Sequence, residues 1–502
     1  MINAGSSTSP FIQLTPPGAL ARPGSILLLS CYELGHQPLS LAGPAGVLRA
    51  EGFVPRAIDL SIEDLPEDAV RAARLVAISV PMHTAMRLGV RVIDRIRAVQ
   101  PHAHITFFGM YALLNAEYLF AAGADSVIGA ECEVPLRALA KALHNRRPVD
   151  DGSIAGLGTP GHPATAPDEK PSFPTPYREG LPALRSYAGF ERDNVIISAG
   201  YVEATRGCHH TCTHCPVTPV YKGKLVVVPR EHVLADIAAQ VEAGARHITF
   251  GDPDFFNGPG HSFRILRAMH ERWPTVSFDA TIKIEHLLEH RQRLPELAEL
   301  GCAFVVSAVE TLNPEALRRM KKGHTADDVD EAIRLLDEVG IPMRPSLLPF
   351  SPWETLESYL DLLRFMAEHA MQPNVDPVHY GIRLLVPPGS AVLDDPDNAA
   401  WLGPLDAERF TYTWTHDDPR METLQREVSR IAERGAERME PAEETFAAIW
   451  QAAHAAAGIS APPVPEARMS RPKPPRLTES WFCCAEPTAE QFDAMSNHQR
   501  SA

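Results

Sequence analysis

Residues 200–216 read GYVEATRGCHHTCTHCP, and three cysteines, Cys208, Cys212 and Cys215, fall within eight residues of that stretch. The apolar, β-branched start of the segment reads as a strand, so the thiols sit on the loop that follows a strand end. In barrels of alternating strands and helices, such loops carry the chemistry. Eight cysteines in a chain of 502 residues are too few for a disulfide scaffold, and their clustering points to metal. A structural zinc site normally takes four protein ligands, and an electron-transfer 4Fe-4S cluster takes four thiolates; this compact set offers three. Three thiolates leave one iron of a 4Fe-4S cluster open to a small molecule. His209, His210 and His214 lie between and beside the cysteines and offer the competing reading, a zinc site.

Downstream, strand-like runs recur as HITFGD (247–252), SFDATIKI (277–284), AFVVSAVE (303–310), IPMRPSLLPF (341–350) and HYGIRLLV (379–386). Between them lie amphipathic helical stretches such as HVLADIAAQVEAG (232–244) and DDVDEAIRLLDEVG (327–340), which end at glycine. Six strand-helix units predict an incomplete barrel over residues 196–395. Upstream, SILLLSCYE, PRAIDL, LVAISV, HITFFGM and DSVIG alternate with helical segments over residues 25–145. Five strands with helical crossovers predict a parallel, doubly wound Rossmann-like sheet that takes ligands beyond its strand C-termini. The fold class is therefore α/β.

Residues 146–195 are rich in Pro, Gly and Asp and read as a linker. Residues 396–460 read as a helical extension and 461–502 as a Pro-rich tail ending in SWFCCAEP (480–487) and a short remainder. Residues 1–24 lack a basic region followed by an apolar core and read as a flexible leader, so the cytoplasm is the expected location. Hydrophobic residues make up 45% and charged residues 22%, and no apolar run reaches the ~18 residues of a membrane span. A net charge of -16 disfavours nucleic acid as a partner, because phosphate binding rests on Lys and Arg.

The C-x3-C-x2-C spacing after the first strand of a six-unit barrel resembles the radical SAM superfamily, over about Ser186 to Ser390. The resemblance implies that Cys208, Cys212 and Cys215 hold a 4Fe-4S cluster whose open iron is chelated by the amino and carboxylate groups of S-adenosyl-L-methionine (SAM). It also implies an electron donor such as flavodoxin or ferredoxin. The position before the third cysteine, often aromatic in that family, is His214 here. Gly251, Asp252 and Asp254 in HITFGDPDFFN resemble the segment that receives the SAM amino group, although a G-D turn is also an ordinary loop. Glu310 resembles the acidic residue that contacts the SAM ribose or amino group, and Lys283 in ATIKIEH is a candidate carboxylate partner. Each of the two can equally be a solvated strand-end charge. Arg383 in IRLLVPPGS is placed at the sixth strand end, within reach of SAM or substrate.

The sheet domain followed by the barrel resembles the cobalamin-binding radical SAM group, with AGADSVIGAECEVPLRAL (122–139) similar to that group's last strand and helix. An Asp-x-His-x-x-Gly motif is absent, and the loops near Glu33, Gly109 and Gly129 are the candidate cobalamin contacts. The tail resembles a radical SAM subgroup named for a terminal Cys-Cys-Ala-Glu-Pro, as do DPDFFN and PFSPWET. Cys483 and Cys484, on a polar tail with no core to bury them, are expected to be reactive or to grip a soft ligand such as arsenite. They are the candidate catalytic pair.

These resemblances imply a transferase that moves a SAM-derived alkyl group to an acceptor, with cobalamin as a methyl carrier. The alternative is transfer of the 3-amino-3-carboxypropyl group of SAM to a thiol-bound acceptor such as arsenite. A reading from a different class is a non-enzymatic iron-sulfur or zinc protein.

Overall fold

The computed structural model describes residues 18–165, 171–467, 471, 473–479 and 486–496. The chain divides into two compact units, one formed by Met1–Ser186, Ala407–Phe410 and Glu486–Ala502, the other by Tyr187–Asp406 and Thr411–Ala485.

The first unit is built on strands β1 (Ile26–Ser30), β2 (Arg56–Asp59), β3 (Leu75–Ser79), β4 (His104–Phe108), β5 (Ser126–Ile128) and β6 (Leu157–Gly158). Their order is β2-β1-β3-β4-β5-β6, parallel except for β6, which pairs antiparallel with β5. Every residue of β1, β3 and β4 is buried. Strands covered on both faces by crossover helices read as unbroken apolar runs such as ILLL, because no face meets water. The helices Leu39–Ala50 and Glu133–His144 cover one face, packing Leu41, Leu48, Leu136 and Leu139 against Ile26, Leu28 and Phe108. The chain leaves β1 in one direction to make β2 and returns to the other side as β3, so the sheet has its topological switch point between β1 and β3. Ligands of doubly wound sheets bind at such a point. A sixth strand, β6, extends the five expected from sequence; two residues long, it carries too little pattern to be read.

The second unit holds β7 (Gly189–Arg192), β8 (Val195–Val202), β9 (Thr205–Gly207), β10 (Leu225–Val227), β11 (His247–Phe250), β12 (Ser277–Thr281), β13 (Cys302–Glu310), β14 (Met343–Leu347), β15 (Leu402–Asp406), β16 (Thr411–Trp414) and β17 (Arg476–Leu477). The main sheet runs β14-β13-β12-β11-β8-β7-β17. Strands β8, β11, β12, β13 and β14 are parallel, and their register brings Val202, Phe250, Thr281, Glu310 and Leu347 to one end. The helices Pro419–Glu437 and Ala442–Ala456 pack on each other within this unit.

Two elements differ from the sequence expectation. The first barrel strand is β8, which ends at Val202; GYVEATR continues into β9, which turns away to pair antiparallel with β10. The cysteine loop is thus the connection of a small hairpin at the mouth of the half-barrel. The expected sixth strand, HYGIRLLV, does not form. Pro377–Gly381 is a 3-10 helix, and Arg383 meets Phe350 through a single parallel bridge. Pro349 and Pro387 flank the bridge and lack the N–H that a ladder needs, so pairing stops after Leu384 donates to Phe350.

Candidate active site at the mouth of the half-barrel

The cysteine loop is shaped from both sides. Gly207 has φ +77°, and a Cβ there would collide with the Lys224 carbonyl and the Tyr221 ring, so only glycine turns the chain into the loop. Cys208 Sγ donates to Asn257 Oδ1 at 3.6 Å, and the His209 backbone N–H donates to the same oxygen at 3.1 Å. Cys212 Sγ donates to the Lys321 carbonyl at 3.7 Å, and Thr213 ties the loop to the Arg319 carbonyl through its hydroxyl, at 2.8 Å. The Cys215 amide closes a turn onto the Cys212 carbonyl at 3.2 Å.

The three thiols stand close enough to repel one another as thiolates. Burial raises the Cys208 thiol, with a further rise from Cys212, and burial pushes Cys215 up to about 12, with Cys212 and Cys208 adding to the rise. Thiols that resist ionisation alone become ligands when a cation replaces their protons. The donor set therefore fits a cationic cluster held on three sulfurs.

Glu310 ends β13 at a register shift against β14, with φ +63°, a left-handed conformation that costs a non-glycine residue roughly 1–3 kcal/mol. Its carboxylate accepts from Lys322 Nζ at 3.0 Å and lies 3.2 Å from His214 Nε2. Burial works against the charge, but Lys322 and His214 outweigh it and hold the carboxyl well below the usual carboxylate range. Lys322, also buried, is raised because Glu310 and the nearby Cys212 and Cys215 overcome its desolvation. Glu310 thus ties the end of β13 to the cysteine loop through His214, with the buried Lys322 as its counter-charge.

The other expected residues have distinct places. A Cβ on Gly251 would run into the Tyr201 ring and hydroxyl, so the glycine allows close strand packing. Asp252 accepts from the Ala204 amide at 2.9 Å and the Thr205 hydroxyl at 2.6 Å, fixing the start of β9; burial pushes its carboxyl up to about 7. Asp254 is fully buried; one oxygen accepts from the Phe256 amide, and the other faces His286 and His210. Lys283 is buried and pairs with Glu285 at 3.0 Å. Arg383 bonds both Glu422 oxygens at 2.9 and 3.0 Å and lies 3.5 Å over the Trp414 ring, so its guanidinium is engaged by its own unit. In the first unit, Glu33 accepts from the Leu39 and Ser40 amides, capping the helix Leu39–Ala50; Gly109, with φ +116°, packs on the Val80 backbone, and Gly129 packs on Leu113. Cys483 and Cys484 lie outside the described residues. Glu486, two positions beyond Cys484, is held by Arg87 at 3.1 Å, Arg409 at 3.2 Å and His83 at 3.7 Å.

Sequence reading missed Asn257, Lys322 and His286. Asn257 and Lys322 lie inside segments singled out for other residues, and a single polar side chain in a loop carries no periodic signal. Among the described residues no helix is long and apolar enough to cross a membrane.

The radical SAM superfamily pattern matches residues 202–366. Similar curated proteins include the ribosomal protein uS12 methylthiotransferase RimO of Trichlorobacter lovleyi, 26% identical over 203 residues, 38% of this chain and 42% of that protein. A second is the tRNA-2-methylthio-N(6)-dimethylallyladenosine synthase of Haemophilus influenzae, 26% identical over 213 residues, 39% of this chain and 43% of that protein. The matched region thus spans less than half the length of either relative. Among solved structures, the cobalamin-dependent SAM radical enzyme OxsB, determined with aqua-cobalamin and SAM, superposes with a TM-score of 0.68 at 15% identity, covering 86% of this chain and 73% of that one. The radical SAM methyltransferase TsrM of Kitasatospora setae, with tryptophan and a SAM analogue, superposes with a TM-score of 0.57 at 20% identity, covering 68% and 71%. Both share the fold. The three-cysteine loop at the mouth of the parallel half-barrel thus lies inside residues 202–366, the region of this chain that matches the radical SAM superfamily.

Proposed function

We propose that this chain is a SAM-dependent transferase that moves a carbon fragment of SAM onto an acceptor, with cobalamin as methyl carrier. The observation that carries this reading is the buried Glu310–Lys322 pair beside the cysteine loop. Cys208, Cys212 and Cys215 would hold the 4Fe-4S cluster, which when bound supplies the electron that cleaves a carbon–sulfur bond of SAM. Lys322 keeps Glu310 ionised in a buried place, so a fixed carboxylate is presented where the SAM ribose or amino group would lie. Asn257 and Thr213 hold the loop, and the burial of Glu310 and Lys322 marks a mouth that keeps bulk water away.

Cobalamin is supported by the first unit's own residues. Ser30 and Ser79 end the adjacent strands β1 and β3, in register with each other at the switch point. Both hydroxyls are buried and have no hydrogen-bond partner. Buried hydroxyls without partners are uncommon, and a ligand seated at the strand ends would satisfy them. The fold similarity to proteins solved with cobalamin supports the same reading.

A second reading rests on Glu486. Three basic groups anchor this residue of the CCAEP segment, an arrangement that supports a working role for the adjacent cysteines. In that reading the 3-amino-3-carboxypropyl group is transferred to a soft, thiol-bound acceptor such as arsenite. Anaerobic turnover with a reducing partner such as flavodoxin separates the two. S-adenosylhomocysteine formed only with added cobalamin supports methyl transfer, and 5'-methylthioadenosine supports the second reading. If reduction with SAM yields only 5'-deoxyadenosine, or no SAM-derived product, neither transfer stands.

A further inference from the structure

His210, the middle residue between Cys208 and Cys212, does not join the cysteines. It turns toward Asp254, after β11, and His286, on the short helix Ile284–Glu289 after β12. One nitrogen from each ring and one Asp254 oxygen all lie within 4.8 Å of one another. His286 Nδ1 is 2.7 Å and His210 Nε2 3.8 Å from Asp254 Oδ2. Donors on a tetrahedral zinc with bonds of ~2.0–2.1 Å stand roughly 3.3 Å apart, so the two separations straddle the required one.

Two further features point to a cation. Asp254 Oδ1 is fixed by the Phe256 amide at 3.1 Å, but Oδ2, fully buried, has no hydrogen-bond partner. His286 Nδ1 stands 2.7 Å from that oxygen, off the line of a hydrogen bond, and its Nε2 lies 3.2 Å from His210 Nε2, so the three side chains are in mutual contact. A buried carboxylate oxygen left in this way is costly unless a charge meets it. Behind His210, Glu285 Oε2 stands 3.6 Å from Nδ1, beyond hydrogen-bond length, and is paired with Lys283 at 3.0 Å.

We propose that His210, Asp254 and His286 bind a divalent first-row transition metal, zinc or ferrous iron, beside the cluster loop. Two imidazoles and one carboxylate are one ligand short of a closed tetrahedral site, the donor set of metal centres that keep a position for substrate. The site is independent of the cysteines and of which SAM bond breaks.

Zinc is the probe. Full-length protein carrying its cluster is equilibrated anaerobically with Zn2+ alone; bound zinc and retained iron are measured together, and the zinc X-ray absorption edge reads the donors. The expected result is one zinc per chain with nitrogen and oxygen donors only, and iron unchanged. Asp254→Asn and His286→Ala should each weaken zinc binding at least about tenfold, with the cluster's iron and the circular dichroism spectrum retained, and Cys483→Ser/Cys484→Ser should bind zinc as the parent does. Sulfur in the zinc shell, no stoichiometric zinc, or undiminished binding by His286→Ala would overturn the proposal. The donor shell of the parent protein tests it even if a variant fails to fold, and none of these readings depends on turnover.

Discussion

Lys322 Nζ stands 3.0 Å from Glu310 Oε1 with both side chains buried, and Cys212 and Cys215 lie near enough to favour the lysine's charge as well. Removing one partner of such a pair leaves an uncompensated charge and typically costs about 3–5 kcal/mol, whereas replacing both by apolar groups costs far less. Lys322→Met should therefore lower the unfolding midpoint markedly, and Lys322→Met/Glu310→Leu should recover much of the loss while abolishing SAM turnover. A double variant no more stable than the single one would show that the pair's burial is not what the lysine stabilises.

The fold was legible where a pattern runs over many residues. The uninterrupted apolar runs of β1, β3 and β4, and the glycine-ended amphipathic helices, announce parallel sheets without any structure. Short pairings such as β6, β9 and β17 were not legible, because two or three residues have no period. The sixth barrel strand failed for a related reason: residues 379–386 have a strand's composition, but Pro349 and Pro387 remove donors on both sides. At the site, spacing alone marked the cysteines. It did not show that Asp252 fixes the start of β9, that Asp254 faces two histidines from other segments, or that Arg383 bonds Glu422, since those pairings depend on which strand ends meet.

The three cysteines should be separable from the other free thiols of the described residues. Cys208→Ala, Cys212→Ala and Cys215→Ala should each lose the cluster's iron and its visible absorption after anaerobic reconstitution, and with it SAM cleavage. Cys302, a free cysteine at the opposite end of β13, should tolerate Cys302→Ala with iron content unchanged. Iron lost equally from Cys302→Ala would move the cluster away from the mouth.

Asn257 touches the cluster loop through both Cys208 Sγ and the His209 amide. Groups that orient metal ligands commonly change affinity by about 10–100-fold. Asn257→Ala should assemble a cluster but release its iron to a chelator at least about tenfold faster than the parent. An unchanged release rate would mean that the loop holds its shape without that contact.

Glu354 is buried and accepts from the Thr311 hydroxyl at 3.0 and 3.2 Å; burial pushes its carboxyl up to about 7 from an ordinary value of 4.5. A raised carboxyl pKa favours the protonated native state. The associated stability is fully present below pH 4.5 and is lost as pH rises through about 7. A tenfold change in proton affinity is worth about 1.4 kcal/mol, so the loss is on the order of 3 kcal/mol. Glu354→Gln keeps an acceptor for Thr311 without the charge, so it should be more stable than the parent at pH 8 and match it near pH 4 in denaturant titrations. A difference independent of pH would assign the effect to packing.

Glu486 gives the tail a testable anchor. Burial raises its carboxyl, but His83, Arg87 and Arg409 outweigh that and bring it down to about 2, so it stays ionised through the neutral range. If the adjacent thiols act in turnover, Glu486→Ala and Cys483→Ser/Cys484→Ser should lower the SAM-derived product to a similar degree while leaving iron content and SAM binding intact. Arg87→Ala should fall between them and the parent, because Arg409 and His83 still hold the carboxylate. Full turnover by the Cys483→Ser/Cys484→Ser protein would remove the tail from the chemistry and leave Glu486 as a docking contact of the first unit.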